Sequence, residues 1–339
     1  MPPEPLAPSA IGPAASATGA ALPMAWRTPL VALAAAVLAL GLVTAQAWGA
    51  MLHQWWNIDT YSHLMLVPFI IAWLVALKED ELVALTPTPF APGLLAVAAV
   101  LGLWWVGESY RVNLIAQAGA VGAVQAAVVT MLGVRVSLVL ALPLAFASFV
   151  VPFGDEIIVP LQFLTADIAI ALTHASGVPA RINGIYIDTP AGLFVVAEAC
   201  SGVKFLIAMV TLGVLVCFTR FTRWSRRALL MAACIIVPIL ANGVRAWATI
   251  YVAQYVGAEK ATGFDHIVYG WIFFAIITAA VLGGAWRFIE REPEDYGWRD
   301  EVIAGWRWVA RVETLRFAPA SAAFAIIALA AIAAMAALL

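Results

Sequence analysis

The chain has 339 residues, of which 64% are hydrophobic and only 11% charged, against roughly 25% charged in an ordinary soluble domain. Too few polar residues remain to coat a water-soluble fold of this size. The composition excludes a nucleic-acid binder, a disordered regulator and a disulfide-stapled secreted module, and calls for lipid as the solvent. The formal net charge of −2 says nothing about partners.

In chain order, residues 1–26 read as a disordered tail, rich in Pro, Ala and Ser over Met1–Met24. Arg27, the apolar run after it and Ala45-Gln46-Ala47 imitate a cleavable signal peptide, but the tail is long for one. A spanning helix needs about 20 mostly apolar residues at ~1.5 Å rise each. Runs of that kind lie at Leu30–Trp48, His63–Leu77, Gly93–Val106, Val112–Leu132, Val136–Val151, Cys200–Phe218, Ala228–Tyr251, His266–Trp286 and Pro319–Leu339, the third and fifth being short. None shows the alternation of a membrane β-barrel. The expected fold is an all-α polytopic membrane bundle of about eight or nine spans.

Between the fifth and sixth runs, Phe153–Ser176 is helical in pattern but interrupted by Asp155, Glu156, Gln162, Thr165, Asp167, Thr173 and His174. It reads as an amphipathic helix at the outer interface, with an additional true span as the alternative. Turn signals at Val178-Pro179, Asn183-Gly184 and Thr189-Pro190-Ala191-Gly192, with β-branched runs between, predict a small outer hairpin. Residues 27–287 then form the core. Residues 288–316 form a cytoplasmic segment with an amphipathic helix over Asp300–Phe317, and residues 317–339 form a last span.

Orientation follows from the basic residues. With the N-terminus inside, Arg27, Lys78, Arg135, the Arg220/Arg223/Arg226/Arg227 cluster and every Arg from Arg287 to Arg316 fall on the inner side, 13 of 18 Lys and Arg in all. All four histidines, His53, His63, His174 and His266, then fall outside.

Polar groups within a membrane are functional candidates because they are costly there. Arg245 lies well along its span, close to the outer face, with Asn242 one turn earlier on the same side. Cys200 begins a span, where the helix dipole and the nearby Lys204 favour a thiolate. Cys217 and Cys234 fall at other levels and read as packing residues, so no disulfide is expected. His266 starts another span beside Asp265. Convergence of His63, His266, Asp59 and Glu198 would allow a zinc site, but no ligand-spaced motif supports one. No cofactor is expected. Three spans thus bring Cys200, Arg245 and His266 to one outer level. A thiol, a guanidinium and an imidazole together make an acyl-transfer site: Cys200 as nucleophile, His266 as base and then acid, Arg245 as oxyanion stabiliser.

The segments Ala199-Cys200-Ser201-Gly202, Asn242-x-x-Arg245, His266 followed by Gly270-Trp271 and Phe274, and Tyr61-Ser62-His63-Leu64-Met65-Leu66-Val67-Pro68 resemble those of the exosortase/archaeosortase family, over about Trp55 to Trp286. The resemblance implies a sortase-like cysteine peptidase or transpeptidase of the bacterial cytoplasmic membrane, its site on the outer face. Its substrates would be exported proteins ending in a tripartite signal: a short motif such as Pro-Glu-Pro, one transmembrane helix and a basic tail. The cut would fall beside the short motif, with transfer to an unspecified acceptor, in bacteria that make exopolysaccharide. Asn242, Lys204, Glu198 and His63 are the expected substrate-binding residues. The rival class is a non-enzymatic transporter or export component. Clustering of the candidates at one face, with no chain of charges across the midplane, favours surface chemistry over passage.

Overall fold

The computed structural model describes residues 23–263 and 268–338. Helices α1 (Met24–Val43) and α2 (Ala45–Asn57) are followed by a short break. The chain bends there by 110° into a 3₁₀ turn (Ser62–Leu66) and α3 (Val67–Ala76). Next come α4 (Glu79–Ala84), α5 (Gly93–Tyr110), α6 (Asn113–Val139), α7 (Ala141–Phe146) and α8 (Ile158–Ala175). Three short strands follow: β1 (Arg181–Asn183), β2 (Tyr186–Thr189) and β3 (Gly192–Val195). The remaining helices are α9 (Val203–Arg220), α10 (Trp224–Val256), α11 (Ala258–Gly263), α12 (Val268–Trp286), α13 (Asp300–Ala304), α14 (Arg307–Val312) and α15 (Pro319–Ala337).

Among the described residues, 7 helices are long and apolar enough to cross a membrane, or 8 if the pair bent around residues 58–61 is counted as one broken span. The chain is an all-α polytopic membrane protein. Its two ends differ in character. One carries Cys200 and the strands; the other carries the clustered arginines.

The break expected after Leu132 is present: α6 is two helices joined across Gly133, whose φ of 86° and ψ of 168° are not helical. A side chain at Gly133 would strike the Thr88 carbonyl oxygen, 2.3 Å from its Cβ, so the kink is where α6 receives the loop before α5. Two other boundaries differ from the sequence reading. The expected span Val136–Val151 is a short broken climb, α7 and a 3₁₀ turn (Ala147–Val150). It is held by Gln125, whose amide donates to the Leu144 carbonyl at 2.6 Å and to Ser148 Oγ at 3.1 Å. Likewise Asp300–Phe317 is not one helix but two, α13 and α14, separated around Gly305-Trp306.

Helix α8 is apolar and long enough to cross, yet its contacts keep it at the cysteine end. At its start the Tyr61 hydroxyl donates to Asp155, and Gly154 packs against Ile207 and Val203 in the first turns of α9. Farther along, Thr165 meets Asn242, and Ser176 accepts a 2.8 Å bond from the Trp247 indole near the far end of α10. The predicted hairpin has a third strand, giving an antiparallel sheet in the order β1-β2-β3. Buried Ile187 and Val196 press it onto Ala166, Ala169 and Ile170 of α8 and Ile250 of α10.

At the basic end, the segment after α12 ties the helix ends together. Glu290 accepts the Thr222 and Arg223 amides at 2.6 and 2.9 Å and pairs with Arg226 at 3.0 Å. The Arg223 amide, with Thr222 and Arg226, holds its carboxyl at about 2 against the opposing effect of desolvation. Arg291 donates to the Phe218 and Thr219 carbonyls at the end of α9. Arg135 of α6 forms a bidentate pair with Asp300. Tyr296, fully buried, donates to the Leu74 carbonyl at the end of α3 at 2.8 Å and lies under the Lys78 ammonium. Helix α15 packs on α1 and α5, filling an Ala-rich seam.

Helices α5 and α6 approach most closely through glycine. A Cβ on Gly119 would lie 2.4 Å from the Trp104 amide nitrogen, and one on Gly107 would lie 2.2 Å from that of Ala116. Small residues at such crossings let backbones pack in lipid, where no hydrophobic drive between helices exists. Gly119→Leu should therefore lower stability by about 1–3 kcal/mol, seen as a lower thermal midpoint in detergent. Gly102→Leu, where a Cβ meets nothing within 4 Å, should leave the midpoint unchanged.

Candidate active site

Cys200 ends a 3₁₀ turn, Glu198–Cys200, its amide bonded to the Ala197 carbonyl at 2.8 Å. The helix proper starts only at Val203, after Gly202 in the left-handed region at φ 81°. Cys200 thus stands ahead of α9 rather than in its first turn. Gly202 is required twice over. A side chain there is disfavoured by the positive φ, and its Cβ would lie 2.8 Å from the Asn242 amide carbon.

Asn242 is the hub of this corner. It is buried, and its Nδ2 donates to the Cys200 carbonyl at 2.7 Å and to Thr165 Oγ1 at 3.0 Å. One side chain on α10 therefore fixes the backbone of the cysteine turn and anchors α8. Next to Asn242, Gly243 lets Ile168 of α8 approach: a Cβ there would lie 2.4 Å from Ile168 Cγ2. Asn242 contacts structural groups, and Thr165 completes its bonding. The sequence reading counted Thr165 only as a polar interruption, although Gln162 and Thr165, three apart on one helix face, are both buried.

Cys200, Asn242 and Arg245 line one cleft of about 100 Å³. Its walls are Ile187, Phe194 and Val196 from the sheet side and Ala246, Thr249 and Ile250 from α10. Arg245 is half-buried. Its guanidinium reaches across to α12, where a Cβ on Gly270 would lie 3.3 Å from Nη2. Gly270 is the small residue that admits the cation. Lys204 lies over the rings of Phe205 and Trp271, at 5.2 and 5.6 Å, and Phe205 stacks on Phe274 at 4.5 Å. The aromatic residues after His266 thus hold α12 against the start of α9. His266 itself, with Asp265, lies outside the described residues.

The thiol differs from the sequence reading in its acidity. Burial pushes Cys200 above the ordinary thiol value, against the opposing pull of Arg245, the Ala197 hydrogen bond and Lys204. A thiolate needs water or cations in sufficient number, and here desolvation outweighs both nearby positive charges.

The other expected residues divide. His63 shares a second cleft with Lys204 and Asp59, while Glu198 is exposed. Among the described residues, no three His, Cys, Asp or Glu side chains are grouped to hold a metal ion. Tyr61, from the early motif, is buried and donates its hydroxyl to Asp155. Cys217 and Cys234, expected at different levels, share one apolar cluster. Gly213 allows this, since a Cβ there would lie 2.8 Å from Cys234 Sγ. None of the three cysteines is disulfide-bonded.

No curated protein and no solved structure matches the chain. The family model described as transmembrane exosortase (Exosortase_EpsH) matches residues 55–283. That stretch runs from Trp55 through the cysteine turn, Asn242, Arg245 and Gly270 into α12, and it leaves out α1, α13, α14 and α15. The chain belongs to the transmembrane exosortase family, a group of membrane-embedded sorting enzymes.

Proposed function

We propose that this protein is a cysteine peptidase or transpeptidase that cuts C-terminal sorting signals of exported proteins at the outer face of the bacterial cytoplasmic membrane. The observation that carries the reading is the shared cleft of Cys200 and Arg245, at the end of the bundle opposite the arginine cluster. A basic end held inside leaves the cleft on the non-cytoplasmic side. A substrate with a short motif, one spanning helix and a basic tail has the same polarity, so its scissile bond arrives at the level of Cys200.

The chemistry follows from the groups available. The base takes the proton from Cys200 as Sγ attacks the scissile carbonyl carbon. We assign this role to His266, which stands four residues before Gly270, the residue against which Arg245 rests. The carbonyl π electrons move onto oxygen, and the Arg245 guanidinium stabilises that oxyanion, an interaction strongest in a dry site. Collapse breaks the C–N bond, and the imidazolium returns its proton to the leaving amine. The product is a thioester on Cys200. An amine or hydroxyl acceptor, or water, then attacks it, giving up a proton to the base as the thiolate leaves. Asn242 serves as a positioning residue, holding the Cys200 carbonyl, and Lys204 offers a charge to an acidic motif.

Cys200→Ala should leave a folded, membrane-inserted protein and lower processing of a co-expressed tripartite-signal substrate by at least about 10³-fold. Normal cleavage would remove Cys200 from the mechanism. Mass analysis of wild-type protein quenched in acid should find the substrate acylated on Cys200, released by hydroxylamine.

Arg245→Gln removes the largest influence that lowers the thiol. Alkylation of Cys200 by an impermeant maleimide should slow several-fold at neutral pH, and its rate profile should move to higher pH. An unchanged profile would mean that the guanidinium does not act on the sulfur. Asn242→Ala should lower kcat by about 10- to 100-fold with little change in KM, because it loosens the nucleophile's backbone rather than a substrate contact. A rise in KM alone would assign Asn242 to substrate binding instead.

A further inference from the structure

Among the described residues, the small sheet ends in a strand with one open side. Strand β3 pairs with β2, Phe194 opposite Ile187 and Leu193 opposite Asp188. Just past its end the Val196 amide donates to the Ile185 carbonyl at 3.0 Å. Residues of an antiparallel ladder alternate between bonding their partner strand and facing away from it. Val196, Phe194 and Gly192 therefore turn their backbone groups toward β2, and Leu193 and Val195 turn theirs outward. The Val195 carbonyl accepts the Ala197 amide at 3.0 Å. The Leu193 N–H and C=O and the Val195 N–H have no such partner among the described residues. No helix packs along that side of β3.

Two features set this edge apart. The first is that it is unguarded. Edge strands are ordinarily protected by a charge, a Pro or a bulge, because their free backbone groups template another extended chain. The sheet's other edge, β1, begins with Arg181. Strand β3 reads Gly-Leu-Phe-Val, with neither a charge nor a Pro, and Leu193 and Val195 are 67% and 49% exposed. The second feature is its place. Val195, with Phe194 and Val196, lines the cleft that holds Cys200 and Arg245. No residue of β1 does. A chain laid beside β3 therefore lies in the wall of the cysteine cleft.

The open groups also state what fits them. A donor and an acceptor stand on one residue, and the next outward donor comes two residues later, ~7 Å along the strand. An extended polypeptide repeats its own N–H and C=O at that spacing. A lipid headgroup does not.

We propose that β3 is a docking edge, and that the peptide reaching Cys200 binds as a fourth strand of this sheet. Recognition is then through the main chain. Alternate residues of the bound strand turn their N–H and C=O to Leu193 and Val195, and the residues between them need no N–H. This docking mode rests on the peptidase reading above only for the chemistry that follows binding.

The test uses the full-length protein in nanodiscs and a hexapeptide of Ser, Thr and Val ending in a vinyl sulfone, which alkylates a thiol it is docked against. Mass analysis should find the adduct on Cys200. Methylating one peptide amide nitrogen at a time removes one donor per probe. Labelling should slow roughly tenfold at alternate positions, as for one lost main-chain bond, and change little between them. A flat profile, or equal loss at every position, would overturn the proposal. Leu193→Pro deletes an outward donor without touching the ladder to β2. It should slow peptide labelling about tenfold, whereas Leu193→Ala, which keeps the N–H, should not. A small impermeant maleimide needs no strand and should alkylate Cys200 at the wild-type rate in both variants. If Leu193→Pro slows the maleimide equally, the cysteine turn itself has moved, and the methylation profile on wild-type protein decides alone. Slower peptide labelling in discs holding two copies than in discs holding one would show β3 paired with a second copy, which also sinks the idea. Labelling needs only a reachable thiol. An alternating profile together with normal substrate processing by Cys200→Ala would leave the docking edge standing and remove the nucleophile assignment.

Discussion

The arrangement at the cysteine end depends on one buried amide. Asn242 projects from the middle of a 33-residue helix and satisfies the Cys200 carbonyl and the Thr165 hydroxyl at once. In water such a bond contributes little net stability, because solvent competes for each partner. In a desolvated corner the alternative is an unpaired carbonyl, so the geometry is held firmly. The bond also sets the height of the cysteine turn along α10. Arg245 follows Asn242 by three residues on the same helix, so fixing one fixes the level of the other. Gly202 and Gly243 are the clearances that let the turn and α8 close on the amide.

The membrane turns this local geometry into an orientation. Long α10 passes from the arginine cluster to the cysteine corner, and its last turns carry Trp247, Tyr251 and Tyr255 as a ladder of ring contacts. Such aromatic residues suit an interface. At the other end, the Glu290, Arg291 and Tyr296 contacts lace α3, α9 and α10 to the segment after α12. Each end is held by polar bonds that the bilayer interior could not supply, while the middle is packed through small residues. The charged lacing and the cysteine corner therefore occupy opposite ends of the same helices.

The helical class was legible because lipid demands long apolar runs, and these are hard to write any other way. Boundaries were less so. Hydropathy puts a break near Leu132, where Gly133 leaves the helical region and the Thr88 and Phe90 amides take the Leu132 and Thr130 carbonyls, but it does not show that Asp300–Phe317 divides into two short helices. The Cys200, Asn242 and Arg245 neighbourhood followed from counting helical rise, which fixes depth without knowledge of packing. What counting could not give is solvation. The sequence places two cations and a nearby helix start beside Cys200 and so suggests an acidic thiol. Burial by the sheet and α10 reverses that, and burial is a property of the assembled corner rather than of any segment. Gly270 looked like one small residue of a short motif. Its purpose, admitting a guanidinium from another helix, requires the pair to be seen together.

In the proposed mechanism, a thiol raised by burial has a consequence for how the site works in a membrane. A standing thiolate within reach of the bilayer would be open to oxidation and to any small electrophile that partitions there. A buried thiol is quiet until a base and an incoming carbonyl share its cleft. The cleft is small, so a substrate strand entering it displaces what water it holds, and the loss of that water strengthens the pull of Arg245 on developing negative charge. The same burial that raises the resting thiol therefore makes the guanidinium more effective once the carbonyl arrives. On that proposal, suppression of the free nucleophile and stabilisation of the oxyanion come from one physical condition, a dry corner beside a fixed cation.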